Sequence, residues 1–408
     1  MRALVHLIPL PAVLLVPVTV GAQEQTVPEA VPATASPPPL VAEATPAPGS
    51  APSPTAPSAP PVSFSWEALA DMYYMANFTG DPSTQGPVGR AFDTTANNFA
   101  LNYAKLGVGV DTASVAFRLD LGAGHTAAIV NSAIKGGSAA QSPGTTSPEG
   151  SSEPASALLG LSSSDFLIQQ AFGTWKITPD IALDAGRFVT TAGAEVIEAS
   201  KNWLYSRSFL FNGIPFLHTG LRLNAAITPA LKLQLSLVNG WNNDVDNNVG
   251  KTGGVSVAFT PPNSDNTTVV VTSYFGKENP HSGGDTKILV DGVFTRDIGK
   301  GSVGLNIDYL KTGDAWWWGG AIMGRYFLTE SFNLAMRAEF ITSKKGAIGV
   351  GDDLALYEGT LMGGYVVAQH FELRAELRGD FSDKEIFSKG DEVRKNQITG
   401  TIAALTYF

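Results

Sequence analysis

The chain contains no cysteine among its 408 residues and only five histidines. The lack of thiols excludes disulfides and thiolate metal sites, and the histidines are too scattered to give a ligand pair at helical spacing. Charged residues make up only 16%, and the formal net charge of −10 argues against a general nucleic-acid binder, which needs a basic face. Neither a glycine-rich phosphate loop with its lysine nor a G-x-S-x-G nucleophile motif occurs. We therefore expect no metal and no cofactor.

Beyond residue 65 the sequence also lacks the run of about 20 apolar residues that a membrane-spanning helix needs. Residues 1–22 are typical of a secretory signal peptide, because Arg2 gives a positive start, an apolar run extends to Val20, and small residues follow at a plausible cleavage site. Residues 23–62 are dominated by Pro, Ala, Thr and Ser and hold too little apolar surface to fold. This composition predicts a disordered periplasmic linker, either a passive spacer or a tether that contacts peptidoglycan.

From residue 63 onward, apolar and polar residues alternate in many short stretches. In residues 371–381, Phe, Leu and Ala alternate with Glu, Arg and Asp, and residues 115–121, 231–237 and 303–309 show the same period of two. This period indicates β-strands with one apolar and one polar face. A soluble β-sandwich would give the same alternation, so the pattern alone leaves both folds open.

The lengths of the connections distinguish the two folds. We predict sixteen strands, near residues 65–76, 97–110, 113–124, 164–176, 180–188, 217–227, 230–240, 250–260, 266–276, 285–298, 301–311, 316–328, 331–342, 354–367, 370–381 and 396–408. Connections after odd-numbered strands are mostly long, and those after even-numbered strands are short except for 261–265, as in outer-membrane barrels. An even strand number leaves both chain ends on the short-turn, periplasmic side. The sequence therefore predicts an all-β fold, a transmembrane antiparallel β-barrel of about 16 strands over residues 63–408.

Aromatic residues fall near both ends of the predicted strands, as amphipathic rings do at two lipid–water interfaces. Those near the outer ends are Trp241, Tyr274, Phe275, Tyr309, Trp316, Trp317, Trp318 and Phe381, and those near the periplasmic ends are Trp66, Trp175, Phe259, Tyr326, Phe327, Phe371 and Phe408. The tryptophan triplet has an alternative role as a carbohydrate-stacking or packing cluster. The terminal Phe408 is similar to the signal that the barrel-assembly machinery recognises, so that machinery is an expected partner.

One connection, residues 189–216, is unusually long and rich in aromatic and charged residues. Most connections need about 4–6 residues, so a connection of this length is usually functional or disordered. Its aromatic residues argue against disorder; they are Trp203, Tyr205, Phe209, Phe211 and Phe216. We expect an ordered loop after strand 5 that folds inward as a plug, a lid or a constriction.

The same region carries a resemblance to a known family. The matching segments are Arg187-Phe188, AGAEVIE at 192–198, Asn202-Trp203, YSRS at 205–208, Pro215-Phe216, His218-Thr219-Gly220, VNGW at 238–241, DNN at 246–248 and GKT at 250–252. Together they resemble the OmpL-like group of outer-membrane β-barrel porins. The resemblance implies a channel in the Gram-negative outer membrane, with a loop that narrows the lumen as in porins generally.

Charged residues of this loop and of the polar strand faces are the candidate site residues. For the pore constriction we predict Glu195, Glu198, Lys201, Arg207, His218 and Arg222. Arg207 is the first choice for a pore-facing group, because its guanidinium stays ionised. For the lumen-facing wall we predict Arg118, Asp120, Lys232, Asp308, Arg337, Glu339, Glu372, Arg374, Glu376 and Arg378. Such charges would bias ion passage through a water-filled lumen, or would form cross-strand ion-pair ladders that support the wall.

The sequence thus predicts a porin and not an enzyme. It would lie in outer-membrane lipids and allow passive diffusion of small hydrophilic solutes or ions through a barrel narrowed by the 189–216 loop. Its oligomeric state is left open, with a homo-oligomer as one outcome. Two alternatives remain. One is an outer-membrane enzyme with its site in the same loop, near Ser206, Ser208 and His218, and the other is a plugged barrel that acts as an adhesin or structural protein.

Overall fold

Sixteen antiparallel strands form one closed barrel in the computed structural model of the chain. The structure describes residues 62–80, 86–134, 165–262, 264, 266–279, 284–389 and 392–408. The expected signal peptide (1–22) and linker (23–62) lie outside the described residues, apart from residue 62 itself, and stay predictions.

Each barrel strand pairs with its neighbour in the chain, and the last strand pairs with the first, Leu69 opposite Tyr407. The barrel strands are β1 (Ser63–Asn77), β2 (Phe99–Asp111), β3 (Val115–Ala123), β4 (Phe166–Thr178), β5 (Ile181–Val189), β6 (Leu217–Thr228), β7 (Leu231–Val238), β8 (Thr252–Phe259), β9 (Thr267–Lys277), β10 (Thr286–Ile298), β11 (Gly301–Thr312), β12 (Ala315–Phe327), β13 (Phe332–Lys344), β14 (Leu354–Ala368), β15 (Phe371–Ser382) and β18 (Asn396–Tyr407). The predicted 16-stranded barrel is confirmed. A small hairpin, β16 (Phe387–Lys389) and β17 (Glu392–Arg394), was not predicted from the sequence.

Strand β15 shows how the two faces of the barrel wall differ. Leu373, Leu377 and Phe381 are exposed on the outer face, whereas Arg378 and Asp380 are buried on the inner face. Apolar residues outside and charged residues inside reverse the usual arrangement of a soluble protein and suit a wall surrounded by lipid. Among the described residues, no helix combines the length and the apolar character needed to cross a membrane.

The two ends of the barrel differ in the length of their connections. One end carries tight turns such as Gly299-Lys300, where Gly299 has a φ of 61°, a left-handed conformation that glycine adopts without strain. The other end carries the predicted long connections, which in the structure are 78–98, 124–165, 190–216, 239–251 and 383–395. The second of these begins with a helix, α1 (His125–Ile134), that the sequence did not predict.

Aromatic side chains on the outer face lie near both ends of the barrel. Trp66 is exposed at the short-turn end, and Trp318 and Phe381 are exposed at the other end. The interface prediction is wrong for Trp317 and Tyr274, because both are buried. Neighbouring strand residues point to opposite faces, so the middle residue of the tryptophan triplet faces inward while Trp318 faces outward.

Candidate channel interior

The connection between β5 and β6, residues 190–216 (hereafter the β5–β6 segment), is ordered and almost entirely buried. Its ends are joined by a hydrogen bond from the Thr190 N–H to the Phe216 carbonyl, 3.0 Å. Within it lie a turn of 3-10 helix at Ala199–Lys201 and a short helix, α2 (Phe209–Asn212), whose N-cap Ser208 accepts from the Phe211 N–H at 3.1 Å. Such capping satisfies a backbone donor that a short helix would otherwise bury without a partner.

Arg207 holds this segment together from within. Its guanidinium donates to the carbonyls of Val196 (3.1 Å), Tyr205 (2.5 Å) and Ile197. The side chain is buried and also lies over the ring of Phe92, 5.3 Å from the ring centroid. This position corrects the expectation that Arg207 is the leading pore-facing group, because its donors are directed at backbone oxygens of its own segment.

Strand β13 provides the first anchor for the β5–β6 segment. Arg337 pairs with Glu195 of the segment at 2.7 Å and with Glu358 of β14 at 2.8 Å. Two residues further along, the Glu339 carboxylate accepts from the Phe209 N–H (2.8 Å) and the Leu210 N–H (2.7 Å) at the start of α2. A carboxylate at a helix start is favourable because the free N–H groups there carry partial positive charge.

Strand β15 provides a second anchor, through alternate residues on its inner face. Arg374 donates to the carbonyls of residues 199 and 202, at 2.8 and 3.1 Å. Glu376 accepts from the N–H groups of residues 205 and 206, at 2.8 and 3.2 Å. Arg378 donates to the carbonyl of Arg207 at 2.5 Å. The strand therefore satisfies backbone groups of a segment that has little secondary structure of its own.

Other strands contact the same segment from different directions. On β2, Lys105 pairs with Glu198, and on β9 the Tyr274 hydroxyl lies 2.9 Å from the Thr191 hydroxyl. On β11, the Asn306 side chain accepts from the Ala194 N–H at 3.1 Å. The β5–β6 segment thus bonds to the buried faces of strands that are far apart around the barrel.

The predicted wall residues are mostly buried and paired. Asp120, Asp308, Arg337, Glu339, Glu372, Arg374, Glu376 and Arg378 are buried, whereas Arg118 and Lys232 are half-buried. Ion pairs along the wall join Arg118 with Asp120 (2.5 Å), Arg374 with Glu372 (3.0 Å) and Arg378 with Asp380 (2.7 Å). These three pairs each lie within one strand. Pairs between neighbouring strands join Arg337 with Glu358 (2.8 Å), Lys105 with Asp120 (3.1 Å) and Arg222 with Asp184 (2.8 Å).

A cavity of about 330 Å³ lies beside the segment, against the β1–β6 part of the wall. Of the six predicted constriction residues, it brings together Glu195, Glu198, Lys201 and Arg222. His218 lies elsewhere: it is buried, its Nδ1 is 3.0 Å from the Gly240 carbonyl, and it stacks on Tyr274. Arg222 is fixed by Asp184 at 2.8 Å.

Lys105 is the central charge of the cavity wall. Its Nζ lies 2.6 Å from Glu67 and 3.1 Å from Asp120, and it also contacts Glu198. Burial acts to raise the pKa of Glu198, but Lys105 and Lys201 hold this pKa well below its usual range. Oxygens of Glu67, Asp120 and Glu198 lie within 4.8 Å of one another, a spacing that could suit a metal ion. The Lys105 ammonium already supplies the positive charge among them, so these residues do not fit a metal site.

The sequence did not point to Lys105, and the structure shows the reason. Alternation from the exposed Phe99 and Leu101 would turn residue 105 outward, but Asn102 and Tyr103 are both buried. A register shift at this position adds one residue, and such a bulge reverses the phase of the residues after it. The exposed Leu106 therefore follows the inward Lys105.

A closed antiparallel barrel with an apolar outer face, a charged inner face and a segment bonded across its wall defines an outer-membrane barrel of the porin class. The chain belongs to the family described as "Putative beta-barrel porin-2, OmpL-like", whose profile matches residues 63–408. This match confirms the resemblance found in the sequence.

Solved structures give the same fold at low sequence identity. A loop-deletion mutant of OmpT, an outer membrane protein of Vibrio cholerae, has a TM-score of 0.54 and 11% identity over 85% of this chain and 99% of its own. Salmonella typhi OmpF in complex with daunomycin has a TM-score of 0.54 and 12% identity over 85% of this chain and 97% of its own. The anion-selective porin from Comamonas acidovorans has a TM-score of 0.51 and 10% identity over 85% of this chain and 100% of its own. No curated protein sequence matches the chain.

Proposed function

We propose that the protein is a passive outer-membrane channel for small hydrophilic solutes or ions, narrowed by the β5–β6 segment. The observation that carries this proposal is the charged cavity between that segment and the wall. Membership of a porin family and the fold shared with porins support it.

The contacts of the segment support an inward position. It bonds to Lys105 on β2 and to Asn306 on β11, two strands on different sides of a sixteen-stranded ring. In a closed barrel, only a segment in the interior can reach the inner faces of both strands. We infer that the segment divides the lumen, with the cavity as the remaining space on the β1–β6 side.

The lining charges support weak selectivity between anions and cations. Four basic side chains line the cavity: Lys105, Arg118, Lys201 and Arg222. Five acidic side chains line it as well: Glu67, Asp111, Asp120, Glu195 and Glu198. Because most of these groups are paired with one another, their fields largely cancel along the path. This interior therefore selects solutes mainly by their size.

A second candidate is a closed barrel with a structural or adhesive role. It is favoured by the apolar cluster that Phe92, Phe211, Phe216 and Trp317 form with residues of the connections, since such a cluster excludes water. The enzyme alternative has less support. The Ser206 hydroxyl contacts Arg337 and Arg378, and His218 contacts Gly240 and Thr190, so these two residues are not a nucleophile–base pair.

Single-channel conductance in planar bilayers tests the proposal. The parent is compared with a variant in which residues 195–213 are replaced by a short Gly-Ser linker, which should raise conductance by widening the lumen. The matched control replaces residues 388–394, where Ser388, Glu392 and Val393 are exposed, and should conduct like the parent. All variants must show different gel mobility before and after boiling, as folded barrels do. If the assembled parent conducts no ions and only the linker variant does, the channel proposal is wrong and the closed barrel is favoured.

A further inference from the structure

Charged and apolar side chains both line the cavity, and two aromatic rings of the β5–β6 segment lie at one end of it. Ser65 and Asp111 line it near the short-turn end of the barrel, where β1 begins and β2 ends. At the opposite end it is lined by Val189, the last residue of β5, and by the rings of Phe211 and Phe216. Two phenylalanine rings therefore belong to the lining of this cavity.

A third ring packs against these two. Phe92, from the connection between β1 and β2, lies 5.7 Å from Phe211 and 5.5 Å from Phe216, measured between ring centroids. Phe211 and Phe216 are themselves 5.3 Å apart. All three side chains are buried. Two separate connections therefore meet in one three-ring contact, named here the phenylalanine cluster.

Each connection is fixed next to its ring rather than at the ring itself. Arg90 lies two residues before Phe92, and Asp93 lies one residue after it. Arg90 pairs with Asp93 at 2.5 Å and with Asp380 of β15 at 3.2 Å. The Asn212 side chain donates to the Gly89 carbonyl at 2.6 Å and so joins α2 to the same connection. The backbones are held by polar bonds. The three rings contact one another through apolar surfaces, and the Arg207 guanidinium lies over the Phe92 ring, 5.3 Å from its centroid.

An apolar constriction opposes ion passage even when it is not fully blocked, because water leaves it and ions cannot cross without their hydration. We propose that Phe92, Phe211 and Phe216 form a hydrophobic gate at the outer end of the cavity. This inference rests on the proposed channel function and assigns the closing step to three residues. The charged section below the gate holds water and ions, and conduction requires the rings to part.

The polarity of residue 92 is the critical test, because leucine and asparagine have similar shapes and differ in hydration. Phe92→Asn should hydrate the constriction and raise single-channel conductance or open time severalfold. Phe92→Leu keeps the site apolar and should conduct like the parent. Both variants are measured in planar bilayers after gel mobility shows that the barrel has assembled.

The outcomes separate the gate from the channel itself. Equal increases in both variants would mean that bulk alone blocks the path, and would overturn the hydrophobic gate. If the parent conducts, neither Phe92 variant changes its conductance and replacement of 195–213 raises it, the channel stands and the gate is wrong. If neither the Phe92 variants nor the 195–213 replacement conducts, the channel proposal fails and the gate fails with it.

Discussion

Arg337→Met is expected to release the β5–β6 segment from β13, because Arg337 is the fully buried cation that joins Glu195 to the wall. Removing one partner of a buried ion pair costs about 3–5 kcal/mol, since the remaining charge keeps its desolvation penalty. Of the two carboxylates involved, Glu358 retains Arg378 at 3.7 Å. Glu195 retains the Ser208 N–H at 2.9 Å and loses the guanidinium with which it pairs.

The expected loss therefore falls on the segment and lies near the lower end of that range, about 3 kcal/mol. A change of 1.4 kcal/mol is tenfold in an equilibrium constant, so the undocked population of the segment should rise by roughly a hundredfold. Adding Glu195→Gln to Arg337→Met should restore part of the loss, because the second change removes the unpaired charge. A coupling of about 0.5–3 kcal/mol between the two sites is expected.

Urea unfolding of the barrel in lipid vesicles, followed by tryptophan fluorescence, measures the stability, and single-channel recordings measure the frequency of open events. Lys344→Met is the matched control, because Lys344 lies on the same strand and pairs with Asp353 at 2.8 Å where both are exposed. Such surface pairs contribute about 0–1 kcal/mol. If Arg337→Met is as mild as Lys344→Met in both assays, Arg337 does not hold the segment.

Two further predictions concern packing and titration. Gly213→Ala would place a Cβ 2.3 Å from the buried ring of Trp317 and should destabilise the barrel by about 1–3 kcal/mol in urea, whereas Gly359→Ala, with open space around it, should be neutral within error. Burial lowers the pKa of His125 below 6.5, with Asp165 acting in the opposite direction, so docking of α1 is fully stable above pH 6.5 and loses stability as the pH falls. Histidine NMR in micelles, assigned with His125→Gln, should show this; a titration at or above 6.5 would contradict it.

The barrel could be predicted from the sequence because its signals are local. Apolar and polar residues alternate within a strand because one face meets lipid and the other meets the interior. The lengths of the connections show at which end of the barrel each strand begins. The same local reasoning failed where a bulge changed the phase, so Lys105 was missed. Alternation is weaker in β14, where Leu356 and Met362 face inward with Glu358, but this strand was predicted near its observed bounds.

The interior was less predictable, because its contacts join distant parts of the chain. The residue types of the β5–β6 segment indicated an ordered, charged loop, but not which charge would face the cavity. The Arg207 guanidinium donates to carbonyls close to it in sequence, whereas Glu198 accepts from Lys105 on β2. The contact of Phe92 with Phe211 joins two connections whose sequences give no sign of each other.

The seam between β1 and β18 sets an order on how the molecule can be assembled. Leu69 meets Tyr407 only after the whole chain is available, and contacts of such sequence separation form late because chain entropy must be lost first. Arg374 and Arg378, which hold the β5–β6 segment, lie on β15, the neighbour of the seam strand. In the proposed inward position, the segment enters the curling sheet before these last supports form. The wall would then close around this segment, so slow folding of the segment would delay closure of the entire barrel.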